Sequence, residues 1–180
     1  AIRPLAKYAG LVASKPYDVL NSTEAKVEAE GNPHSFLRVI KPEIELPQNI
    51  NPYSDEVYLQ GKKTFAEMID QEVFISDDSP CFYVYRLTMD GRSQIGLVGC
   101  CHCEEYYDGK IKKHELTRTA KENDRVRHVE TLGANAEPVF FSYRGNKDID
   151  TLVNKISEEI PAYDFLADDG VRHEVWVSSD

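Results

Sequence analysis

The run from Cys81 to Thr88 is rich in aromatic and β-branched side chains, and Asp90-Gly91 separates it from a second apolar run that starts at Gln94. Asp-Gly between two such runs is a strong short-range signal for a β-hairpin, since the tight turn that matches the strands' twist favours these two residues. A hairpin commits this part of the chain to an antiparallel sheet, and a sheet must bury its apolar face against another layer. The clearest covering element follows Asp148, where Ile149, Leu152, Val153, Ile156 and Ile160 recur at i, i+3, i+4, i+7 and i+11. That spacing predicts an amphipathic helix, opened by Asp148 and stopped by Pro161.

Other elements have local signals. A short helix is expected over about Ser22 to Glu30, capped by Asn21 or Ser22 and ended by Gly31. Phe36 to Ile40 reads as an apolar strand, followed by an irregular connector containing Pro42, Pro47 and Pro52. Ser54-Asp55-Glu56 predicts a helix start, with Tyr58, Phe65 and Ile69 at helical spacing up to about Gln71. Asp108-Gly109 suggests a turn into a short strand ending near His114. Thr119 and Glu122 have the spacing of a capping box for a helix from about Thr119 to Leu132, closed by Gly133. Val139 to Tyr143 and Val171 to Val177 complete the expected strands. With strands and helices alternating in no strict order, the expected fold class is α+β, a mixed and largely antiparallel sheet with flanking helices.

At 180 residues and 41% hydrophobic, the chain suits a single domain over 1–180, with room for a small N-terminal lobe over 1–75. No apolar run approaches the ~18 residues of a membrane span, and the opening residues lack a signal peptide's apolar core, so a soluble, cytoplasmic protein is expected. The net charge of −10 disfavours general binding to nucleic acid.

Cys100, Cys101 and Cys103 flank His102, a composition that invites a metal reading. Read as part of a strand over 94–103, these side chains alternate between two faces and cannot converge on one ion. They are then small, buried or half-buried strand residues kept reduced in a cytosolic compartment, and no metal site is expected.

The acidic balance reverses between residues 110 and 128, where seven basic residues meet three acidic ones. A basic segment at the start of a helix, whose free N–H groups and dipole also favour anions, suits a phosphate or carboxylate, although a solvated basic face has the same composition. On a helical wheel Arg125 lies within about 40° of Val129 and about 20° of Leu132, so its stem leans toward the apolar side. A guanidinium entering a core normally meets a carboxylate or phosphate. Arg118 lies about 20° from Arg125 two turns earlier, and the two repel unless an anion sits near them. Several alternatives stay open. Glu115 is either a general base or metal-facing carboxylate or a partner of Arg118 or Arg125. His114 is either catalytic or a strand-end residue, and Asp124 with Arg125 reads as a structural ion pair. His128 reads as a helix-surface residue and His173 as a strand residue. His114-Glu115 is not the zinc-protease pattern, because Arg118 stands where that chemistry needs a second histidine.

In order along the chain, Pro16-Tyr17-Asp18-Val19, Asn32-Pro33 with Phe36-Leu37-Arg38, Pro80 with Tyr83-Val84-Tyr85, Gly96-Leu97-Val98, His114-Glu115 with Thr117, Asp124-Arg125, Ala134-Asn135 with Pro138-Val139-Phe140, and Gly170 to Trp176 resemble the bacterial and archaeal family known as domain of unknown function 1015. Family members are longer and carry an Asp-Gly-His-His-Arg signature beyond a segment like His173 to Trp176. The resemblance therefore implies that this chain is the N-terminal fragment of a longer protein and inactive alone. That signature is similar to one in the ParB and sulfiredoxin-like superfamily, which includes free serine kinases. The implied activity is phosphoryl transfer from a nucleotide, with Mg, to a small hydroxyl-bearing metabolite. Glu115, aided by His114, would be the base; Arg118, Arg125, Lys121 and Thr117 would hold the phosphates; Asp124 and Asp18 would support them. The alternatives are a non-catalytic nucleotide- or anion-binding regulatory module and a purely structural domain.

Overall fold

The computed structural model describes residues 1–113 and 116–179. They form an α+β fold whose strands all pair antiparallel. The chain organises into two compact units, one from Ala1–Asp78 with Asp124–Arg144 and the other from Ser79–Asn123 with Gly145–Asp180.

The first unit is mainly helical. Strand β1 (Ile2–Pro4) pairs with β2 (Phe74–Ser76), and between them run α1 (Ala9–Val12), α2 (Ser22–Glu28), α3 (Leu37–Ile40) and α4 (Asp55–Asp70). Short 3-10 turns cover Ala6–Tyr8 and Pro42–Glu45. Asn21 starts α2 by accepting N–H bonds from Thr23 at 2.9 Å and Glu24 at 3.0 Å, while Glu24 accepts the Asn21 N–H at 2.8 Å. This reciprocal box satisfies donors that a helix start otherwise leaves free, an effect worth about 1 kcal/mol.

Val12, Val39, Met68, Val73 and Leu132 make one core, lined by Phe36, Phe65 and Phe74. Ala25, Ala29, Leu37, Ile40 and Ile44 make a second, and Phe36 packs against both. The expected strand over Phe36 to Ile40 is therefore a turn of helix. Leu37, Val39 and Ile40 are all buried, so the apolar run carries no periodicity to separate strand from helix. Arg38 holds the end of α2 by donating to the carbonyls of Ala29 at 2.7 Å and Asn32 at 2.9 Å.

The second unit is built on a four-stranded sheet of order β4-β3-β6-β5, comprising β3 (Phe82–Met89), β4 (Arg92–Val98), β5 (Tyr163–Leu166) and β6 (Arg172–Ser178). The hairpin forms as expected, with φ of 51° at Asp90 and 74° at Gly91, the pair of positive values that a tight hairpin turn needs. Helix α5 (Cys103–Tyr107) follows the hairpin, α6 (Thr119–Leu132) crosses from this unit into the first, and α7 (Lys147–Ser157) covers the sheet. Val153 of α7 packs on Val84 and Trp176, with Ile149 and Ile156 beside it. Burying each such side chain contributes about 1.5–3 kcal/mol. The Trp176 indole N–H donates to the Glu159 carbonyl at 2.8 Å.

Several local expectations are corrected. Helix α7 is capped by Asn146 rather than opened at Asp148, and it ends at Ser157, leaving Ile160 exposed. Strand β4 stops at Val98 instead of running to Cys103, because His102 turns the chain into α5 by accepting the Glu104 N–H at 3.3 Å. Asp108-Gly109 ends that helix, with Gly109 at φ 70°, rather than starting a strand. Val139 to Tyr143 pairs with no strand among the described residues, and Val139, Phe140, Phe141 and Tyr143 are exposed. Arg118, not Thr119, holds the cap position of α6, since its carbonyl accepts the N–H groups of Lys121 at 2.8 Å and Glu122 at 3.0 Å. Among the described residues no helix is long and apolar enough to cross a membrane.

Candidate functional site

The sequence-predicted site residues fall into three groups. His114 and Glu115 lie outside the described residues. Thr117, Arg118 and Lys121 belong to the second unit, all exposed at the amino-terminal end of α6. Asp18, Asp124 and Arg125 belong to the first unit, where Asp18 is exposed and Asp124 and Arg125 come together.

Arg125 is held on three sides. It donates through Nη1 to Glu137 Oε2 at 2.6 Å and through Nη2 and Nε to Asp124 Oδ2 at 3.0 and 3.2 Å. Its Cζ lies 4.0 Å from the centre of the Tyr17 ring, a cation–π contact. Glu137 also accepts the Tyr17 backbone N–H at 3.4 Å. Burial works against the Arg125 charge, but Asp124 and Glu137 outweigh it and keep its pKa raised. The guanidinium that the wheel turned toward the core thus meets two carboxylates of its own chain.

Asp124 is buried and also accepts the Tyr58 hydroxyl at 2.7 Å. Burial, and then the hydrogen bond to Asp124, push the Tyr58 phenol well above its usual range. The next turn of α6 is tied down as well. Arg127 pairs with Asp55, donates to the Tyr53 carbonyl at 3.1 Å and lies 4.6 Å over the Tyr58 ring. His128, expected at the surface, is buried instead, and its Nε2 donates to the Val39 carbonyl at 3.0 Å. Tyr17 and Tyr58 escaped the sequence reading as partners of α6 because each meets it from a distant part of the chain, and Glu137, 12 residues past Arg125, follows the helix with no signal of its own.

Polar groups also sit on both faces of the sheet of the second unit, Arg86, Glu174, Arg172 and Asp164 on one and Tyr85 and His173 on the other. Arg86 grips both oxygens of Glu174, at 2.7 and 2.6 Å, and Arg172 grips both oxygens of Asp164, at 2.8 and 2.7 Å. The Arg86 hydrogen bonds hold Glu174 below the usual carboxylate range, and the Arg172 hydrogen bonds do the same for Asp164. Tyr85 and His173 share a hydrogen bond 2.6 Å long, and Phe165 stacks on the His173 ring at 4.9 Å. Burial pushes the Tyr85 pKa up and the His173 pKa down.

Among the described residues no group of three or more histidine, cysteine or carboxylate side chains could hold a metal ion. A nucleotide-bound magnesium needs only one or two protein carboxylates. Asp124 and Glu137, however, are already committed to Tyr58 and Arg125. Neither of these two carboxylates is therefore left to hold a metal.

Fold and clusters together define an α+β protein of two units, with a basic helix start in one and a carboxylate-clamped arginine in the other. The chain belongs to the family described as "Protein of unknown function (DUF1015)", whose model matches residues 1–180. No curated protein and no solved structure matches the chain.

Proposed function

We propose that the protein, as encoded by its gene, is a nucleotide-dependent phosphotransferase acting on a small hydroxyl-bearing metabolite, related to the ParB and sulfiredoxin-like superfamily. The observation that carries this reading is the pair of exposed cations, Arg118 and Lys121, with the Thr117 hydroxyl, at the start of a helix of 14 residues in an acidic chain. Free N–H groups, the helix dipole and two side-chain cations favour the same kind of ligand, an anion. Phosphoryl transfer mainly needs positioning and charge neutralisation, with a carboxylate to take the acceptor's hydroxyl proton. In this reading Glu115 is that carboxylate, with His114 beside it. Arg125, neutralised by Asp124 and Glu137, acts as a positioning residue that fixes the later turns of the helix.

A second reading, a non-catalytic anion-sensing module, is favoured by the engagement of both Asp124 and Glu137, which takes these two carboxylates out of the candidates for the base. Thermal shifts with ATP, ADP, CTP and inorganic phosphate, combined with a phosphoryl-transfer assay, separate the two. Glu115→Gln should abolish transfer while ligand affinity stays intact, and unchanged turnover would remove Glu115 from the mechanism. Arg118→Ala should weaken nucleotide binding by roughly tenfold, the order expected for one charge-assisted contact. The absence of any shift with all four ligands would leave a structural domain.

A further inference from the structure

Within the β3–β4 hairpin Tyr83 stands opposite Val98, so continuing the register outward sets Phe82 against Gly99 and Cys81 against Cys100. The two chains stay close past the last paired residue. A Cβ placed on Gly99 would lie 2.8 Å from Cδ1 and 2.9 Å from Cε1 of Phe82, so the ring rests directly on the glycine backbone. Facing residues of an antiparallel pair have Cα atoms about 4.5–5.5 Å apart, inside the roughly 4.4–6.8 Å that a disulfide spans.

The four cysteines are free thiols, Cys100, Cys101 and Cys103 exposed and Cys81 half-buried. The Cys81 thiol donates to the Ser79 carbonyl at 3.3 Å, and His102 fixes the far side of the loop as the cap of α5. Cys100 and Cys101 are adjacent in sequence, which strongly disfavours their pairing with each other. Cys100 therefore combines exposure to solvent with a partner, Cys81, that the continued register brings opposite it.

We propose that Cys81 and Cys100 form a reversible disulfide, a redox-modification site that closes the open end of the hairpin. The oxidant is a low-molecular-weight disulfide such as oxidised glutathione. The exposed Cys100 thiolate attacks one of its sulfurs, forms a mixed disulfide and releases one reduced glutathione. The Cys81 thiolate then attacks the Cys100 sulfur, expels the second reduced glutathione and leaves the intramolecular bond. Two protein thiols are oxidised, one small disulfide is reduced to two thiols, and protons are conserved.

The test equilibrates the whole protein in oxidised and reduced glutathione, quenches with an alkylating agent and maps peptides without reduction. The expected product is a Cys81–Cys100 linked pair, two hydrogens lighter than the reduced peptides and more abundant than every other pairing combined, with Cys101 and Cys103 alkylated. Cys81→Ser should trap Cys100 as the glutathione mixed disulfide, and Cys103→Ser should leave the Cys81–Cys100 link unchanged. A dominant Cys100–Cys103 link, four thiols still alkylated in oxidising buffer, or one retained zinc shielding the thiols would each overturn the proposal.

Discussion

Tyr58 donates its phenol proton to Asp124 across 2.7 Å, with both residues buried, so a hydroxyl on α4 satisfies a carboxylate on α6. The bond matters because Asp124 also neutralises Arg125. Tyr58→Phe keeps the ring and its packing but leaves Asp124 short of one partner in a buried place. The expected cost is about 1–2 kcal/mol, seen as a lower urea midpoint at unchanged slope. A loss well below that range would mean that water replaces the hydroxyl.

Gly61 lies in the middle of α4, where alanine would ordinarily stabilise a helix by about 1 kcal/mol. Here a Cβ would sit 2.9 Å from the Val39 carbonyl oxygen and 3.1 Å from Pro42 Cγ. Backbone cannot swing aside as a flexible side chain can, so Gly61→Ala should reverse sign and cost about 1–3 kcal/mol. Thermal unfolding of the variant decides the matter, and a raised midpoint would contradict the close helix packing.

Glu174 is buried, and the fork of Arg86 supplies its charge partner. Glu174→Gln should cost about 2 kcal/mol at neutral pH, less than for a fully buried pair because Arg86 is partly exposed. The folded-state pKa of Glu174 lies below its ordinary 4.5, so its contribution is present above that pH and is lost as pH falls through the lower folded value. The stability difference between wild type and variant should therefore shrink below about pH 4.5 in an acid titration. A constant difference would assign the cost to packing instead.

His173 has its pKa lowered from 6.5 by burial, so the folded state favours the neutral ring. As pH falls below 6.5 the unfolded chain takes up a proton that the folded one resists, and stability declines until the folded value is passed. His173→Phe keeps an aromatic ring against Phe165 and should flatten the part of the pH profile that lies below 6.5. Parallel melting curves for variant and wild type would show no convergence if His173 did not contribute.

The hairpin and α7 were readable because their signals are local. Asp90-Gly91 encodes its own turn, and Ile149, Val153 and Ile156 lie within two turns of one helix. Capping at Asn21 is local as well. The errors share a physical cause, for Phe36 to Ile40 and Val139 to Tyr143 are short apolar runs whose state depends on neighbours far away in the chain. The first is packed on all sides and becomes helix; the second meets no strand among the described residues. The reading of residues 110–128 found Arg125 and the direction of its stem. It could not find Glu137 and Tyr17, because nothing in their immediate sequence points to α6.

Neither unit is a continuous stretch of chain: the order is first, second, first, second. On the ribosome this fixes a schedule. The core of Val12, Val39, Met68 and Val73 cannot close until Leu132 has been synthesised, and Tyr58 waits for Asp124. The sheet of the second unit waits longer still, for β6 to insert between β3 and β5. Cutting a single peptide bond therefore releases neither unit intact. Isolating the second would require excising 79–180 and bridging across 124–144 with a linker, and the first would need 1–144 with 79–123 replaced in the same way.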